Sequence, residues 1–173
     1  VIYNSDQTLL NIPDEYGTTP LHLAVEGDAD EVIDFLCALG ADMYTKDSNG
    51  DSPLHRAAGS GCYDAVRSLL ANGFDVNYKN KDGQTALFFA AESAEYRIFK
   101  LLYRHKGVEL NTRDKYGNTV LHVVARTVHL SVIEEIAKDC FDINKYDDET
   151  KLYAKIIKLL SNKNYLSLVK TIC

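Results

Sequence analysis

The feature that most constrains this chain is a phrase written four times. "GTTPLHLAVEG" begins at Gly17, "GDSPLHRAAGSG" at Gly50, "GQTALFFAAES" at Gly83 and "GNTVLHVVART" at Gly117, so that the steps are 33, 33 and 34 residues. Leu21, Leu54, Leu87 and Leu121 keep the same intervals. A fixed period of this length marks a supersecondary unit that cannot bury its apolar face alone and is stacked on its neighbours. Taken singly, Ser52, His55 and the flanking glycines look like a nucleophile with its base and an anion loop. Written four times, they read as structure.

The second half of each unit recurs too. "LCALGADMYTKD", "LLANGFDVNYKN", "GVELNTRD" and "DCFDINKYD" place Asp47, Asn80, Asp114 and Asp147 three residues after Tyr44, Asn77, Asn111 and Asn144. Between the two phrases, apolar residues fall at helical spacing, as in Ala65, Val66, Leu69 and Leu70 or Val132, Ile133 and Ile136. Each unit therefore reads as turn, helix, helix, turn. Thr19, Ser52, Thr85 and Thr119 are placed to cap the first helix, and Pro20 and Pro53 follow where no N–H is needed. The small Ala24, Ala57, Ala58, Ala90 and Ala91 let helices approach closely, and the leading glycines supply the turn.

The pattern of Asp, two variable residues, Gly, one variable residue, Thr-Pro-Leu-His and an alanine pair resembles the ankyrin repeat. It runs from Asp14 to Ala24 and from Asp47 to Ala58, and more loosely from Asn80 to Ala91 and from Asp114 to Ala125. The resemblance covers about residues 7–147. It implies an all-α fold, an ankyrin-repeat solenoid of stacked helix-turn-helix units with projecting β-turn or hairpin loops. The expected division is a partial repeat or N-terminal cap over 1–13, repeats over 14–46, 47–79, 80–113 and 114–146, and a degenerate two-helix capping repeat over 147–173. By the same resemblance, His22, His55 and His122 hydrogen-bond nearby hydroxyl and backbone groups. Phe88 stands in that slot in the third unit, which is expected to hold its turn by apolar packing.

One irregularity stands in the third unit, where Leu101 and Leu102 arrive early and Gly107 late. The expectation is a shorter internal turn and a longer second helix or loop. An acidic cluster, Asp28, Asp30, Glu31 and Asp34, is expected at the start of the first unit's second helix, where carboxylates favour the dipole.

Composition excludes several classes. The net charge of −6 disfavours general nucleic-acid binding. No apolar run approaches the roughly 18 residues that span a bilayer, and no secretory leader is expected from the opening residues. The chain begins with Val, which is expected to reflect a longer parent protein or a trimmed form of one. Cys37, Cys62, Cys140 and Cys173 show no paired spacing and read as reduced thiols in a cytoplasmic setting, neither a disulfide framework nor a metal site. The tail lysines sit around the polar faces of two amphipathic segments, which favours a cap over a membrane-surface helix.

Function is then a matter of what the stack exposes. The recurring Ser or Thr, His and Asp are spent on the repeat, so no enzyme activity and no cofactor are expected. The resemblance implies a protein-protein interaction module whose concave and turn-tip surface binds a protein partner, with the variable turn slots reading it. In this chain those slots hold a basic stripe with tyrosines at its ends: Tyr16, Lys46, Asn49, Lys79, Lys81, Arg113, Lys115, Tyr116 and Arg126. A partner with an acidic segment is expected; exposed lysines that simply keep the turns soluble are the other reading. Asn77 and Asn144, each preceded by an acidic and a β-branched residue, stand in a context like that of ankyrin asparagines hydroxylated by an Fe(II)/2-oxoglutarate oxygenase. The heavy use of Lys, Asn, Ile and Tyr resembles ankyrin proteins of intracellular bacteria and large viruses, many of which act as effectors on host proteins. A targeting arm of a larger enzyme or effector, or a eukaryotic scaffold, is the alternative.

Overall fold

The computed structural model describes residues 9–127 together with Ser131, Val132 and Glu135. After a short 3-10 turn at Leu9–Asn11 come α1 (Pro20–Glu26), α2 (Asp30–Ala38), α3 (Pro53–Ser60), α4 (Tyr63–Ala71), α5 (Ala86–Glu92), α6 (Tyr96–Tyr103) and α7 (Val120–Thr127). Expectations for Cys140, Asn144, Cys173 and the capping repeat over 147–173 lie outside the described residues.

The helices form two rows. The row α1, α3, α5, α7 and the row α2, α4, α6 each stack neighbour on neighbour, and within a unit the two helices pack together. The core is therefore a strip rather than a ball. Leu21, Val25 and Ile33 bury against the second unit, Leu54, Val66 and Leu69 lie in its middle, and Leu87, Phe88, Phe99 and Leu102 continue to Leu121 and Val124. Ala57, Ala58, Ala90 and Ala91 are buried where α3 and α5 meet, so the expected close approach is present.

Each turn is built around one side-chain oxygen. Asp47 Oδ1 accepts the amides of Asn49 and Asp51 at 2.8 and 2.9 Å. Asp14, Asn80 and Asp114 do the same for the residues two and four ahead. The chain then reverses in a hairpin-like turn, with the Gly50 amide donating to Asp47 O and the Asp47 amide to Asp51 O. Gly50 has φ +82°, a conformation that favours glycine, and a Cβ there would also push aside the Lys81 stem 2.6 Å away.

In units one and two the first helix starts with proline after a Thr or Ser cap, and its third residue is the histidine. Nδ1 of His55 accepts the Ser52 amide at 3.3 Å and meets the Ser52 hydroxyl at 2.7 Å, while Nε2 lies 2.9 Å from Gln84 O. A backbone amide can only donate and a carbonyl can only accept, so the ring carries its proton on Nε2 and is neutral. His22 repeats the arrangement with Thr19 and Asp51 O. Each ring thus bolts its own helix start to the next unit's turn. Phe88 replaces the bolt with a fully buried ring.

One expectation needs correcting and another extending. The turn between α5 and α6 is three residues, as between α1 and α2, and α6 begins 33 residues after α4. Leu102 occupies the place of Leu69, and both are buried in the core. Of the expected longer helix or loop, it is the loop: the extra residue lies after α6, in the loop ending at Gly107, because a core helix cannot absorb an insertion without rotating its apolar face. The acidic cluster also does more than sit on its own helix. Asp28 Oδ1 accepts the Ala65 amide in the first turn of α4, Asp30 pairs with Arg67, and Asp34 accepts from Ser68 and Asn72. These carboxylates join unit one to unit two.

Three outcomes follow from this geometry. Leu54→Ala should cost about 2–5 kcal/mol in denaturant unfolding. Asp47→Ala leaves two amides without their acceptor and removes a partner of Arg56 3.4 Å away; the expected cost is about 2–3 kcal/mol, and Asp47→Asn, which copies Asn80, should cost much less. Burial pushes His22 and His55 below the ordinary imidazole range of about 6.5, outweighing the carbonyl bonds that act the other way. The unfolded chain then takes up protons before the folded one does. Stability should be full above about pH 6.5 and fall as the pH drops below it toward the folded values. Denaturation midpoints measured down to about pH 5 should show the loss, and a His22→Phe/His55→Phe chain a flatter profile.

Candidate interaction surface

The four turns project side by side, and short bonds lock each to the next. The Ser48 amide donates to Tyr16 O at 2.9 Å and the Lys115 amide to Asp82 O at 2.7 Å. Asn80 Nδ2 donates to Asp51 Oδ1 at 2.7 Å. The tips therefore form a ledge whose spacing is set by backbone, which suits reading a partner residue by residue.

Tyr16 and Tyr116 stand at the first and fourth tips and are 63% and 77% exposed. Asn49 is also exposed, with its amide tied to Asp47. The basic residues are exposed as well, but most are tethered. Lys46 Nζ donates to Lys79 O at 3.1 Å and lies 5.1 Å from the Tyr78 ring centre. Lys81 Nζ reaches Ser48 O, Arg113 donates to Gly117 O, and Arg126 pairs with Glu92 at 2.6 Å. Lys115 pairs with Asp82 at 2.9 Å, which pushes its ammonium above the usual lysine range. Lys79 is exposed, and only its carbonyl is tied to a neighbour. So the structure brings Lys46, Lys79 and Lys81 together across successive turns, with Arg113, Lys115 and Tyr116 grouped at the fourth. Arg126 sits apart, at the end of α7.

Asn77 is a brace. Its Nδ2 donates to Gly107 O at 2.8 Å and its Oδ1 accepts the Glu109 amide at 2.8 Å. The same slot one unit earlier holds Tyr44, whose hydroxyl accepts the Asp75 amide, and two units earlier Asn11, which accepts the Asp42 amide. Burial pushes the thiols of Cys37 and Cys62 above the ordinary cysteine range, which favours the protonated form. Reading from the turn slots misses a second group of cations, Arg97, Lys100 and Arg104. Their spacing of three and four places Arg97 and Lys100 on one face of α6, with Arg104 below them at its C-cap.

Scanned against protein-family models, the chain matches ankyrin repeats (3 copies) over residues 2–80 and again over 54–147. A search of curated proteins finds no match.

The tethers can be tested one at a time. Lys115→Ala should lower the melting temperature, and by less as salt is added, because an exposed pair is lost. Lys79→Ala should leave the melting temperature where it is.

Proposed function

Since the chain belongs to the ankyrin-repeat family, we propose that it holds a protein partner along its turn-tip ledge and that the partner offers an acidic segment. Ankyrin repeats generally mediate protein-protein interactions and are typically non-catalytic. Among the described residues no helix is long and apolar enough to cross a membrane.

The observation that carries this reading is the pair of exposed tip tyrosines. A large amphipathic ring held in water on a rigid turn gives contact area at little entropic cost, as binding surfaces require. The tethered lysines support the acidic partner. An ammonium has three donors, and Lys46 and Lys81 each give a carbonyl only one bond, so a carboxylate could still approach them. The composition supports extending the reading to an effector that engages host proteins in the cytoplasm. The sequence context of Asn77 supports its β-hydroxylation as a separable event, which would require releasing the bonds to Gly107 and Glu109. An intact mass raised by one oxygen after exposure to the oxygenase tests that.

The main reading is tested by affinity capture from lysate with the wild type and with a Tyr16→Ala/Lys79→Glu/Tyr116→Ala variant, both shown to be folded by circular dichroism. A specific protein recovered by the wild type and depleted about tenfold or more with the variant is the expected outcome. Equal recovery would remove the tips from the binding site.

A further inference from the structure

The second row of helices contains two successive grooves, and they are not electrostatically alike. Helices α2, α4 and α6 begin at Asp30, Tyr63 and Tyr96, so positions compare directly. In the groove between α2 and α4, the first and fifth residues of α2 are acids. Asp30 pairs with Arg67 at 3.3 Å, and Asp34 accepts from Ser68 and from Asn72. That groove closes its own charge.

One unit later the acids are gone. Tyr63 and Arg67 stand where Asp30 and Asp34 stand, and facing them are Lys100 in the place of Arg67, Leu101 in the place of Ser68 and Arg97 in the place of Asp64. Arg97 lies over the Tyr63 ring at 4.4 Å and Lys100 near the Tyr96 ring at 6.0 Å. Arg104 is held at 2.6 Å by Glu135, which also takes the Tyr96 hydroxyl. Among the described residues no carboxylate pairs with Arg97, Lys100 or Lys106. These three and Arg104 line a groove of about 580 Å³ that includes Tyr63 and Leu101. The cations gather there although the chain as a whole carries −6.

We propose that the groove between α4 and α6 is a second docking surface, which takes an acidic protein segment whose carboxylates pair with Arg97, Lys100 and Lys106, the cations that no acid of the described chain answers. We take the segment as helical, since acids three or four apart on one helix face match Arg97 and Lys100, which stand three apart on α6. It carries an apolar side chain between its acids, which covers Tyr63 and Leu101. Binding weakens with salt, since most of the cations are exposed.

The probe is a helical peptide with glutamates four apart and leucines between them, added to the full chain labelled with nitrogen-15. Shifts at the amides of Tyr63, Arg97, Lys100 and Leu101 are expected, with affinity falling at least about tenfold in Arg97→Gln/Lys100→Gln. Tyr63→Asp/Arg67→Asp should abolish the groove shifts in a folded protein, because the chain then supplies the acids itself. Shifts confined to the turn tips around Lys46, Lys79 and Tyr116 would overturn this inference while supporting the tip surface. No shifts at all, or groove shifts that survive either double substitution, would also overturn it.

Discussion

A pair of helices seven to nine residues long cannot cover its own apolar faces, and everything else in this molecule answers to that constraint. Leu54, Val66 and Leu69 are buried only because units stand on both sides of them. Stability is then shared along the strip, and weakening one unit strips cover from two others. The alanines in the first row set how near the units come, and so how the turns line up.

Apolar packing alone would let units slide, and polar contacts fix the register. His22 and His55 fasten one helix start to the following turn, while Asn11, Tyr44 and Asn77 each fasten a loop to the next loop. Tyr44 shows that the slot requires an acceptor at the right reach, not asparagine as such. Phe88 shows the converse, since an apolar ring fills the histidine place at the cost of that bolt. Because a neutral imidazole is needed, the bolts tie the array's stability to pH on the acid side.

Charge follows the same economy with a different result in each place. Between α2 and α4 the acids meet their partners within the chain, and between α4 and α6 Arg97 and Lys100 lie against aromatic rings. At the tips Lys46 and Lys81 each give a carbonyl one bond and have donors to spare. A stack that satisfies some seams and leaves others open has surfaces on which a partner can complete what the chain does not.

Much of this was legible in the sequence because it is local. The helix starts at Pro20 and Pro53, the glycine turns, the Asp14 to Asp114 series and the alanine contacts all depend on residues a few positions apart, and the period repeats them until chance is excluded. What the stack decided are distances between residues 30 to 40 positions apart. That Asp28 caps α4, that Lys115 meets Asp82, that Asn77 braces Gly107 and Glu109, and that the added residue sits after α6 all depend on how one unit lies on the next. A side chain's repeat slot is written in the chain, but whether its charge is already answered is set by the neighbour that packing brings within reach.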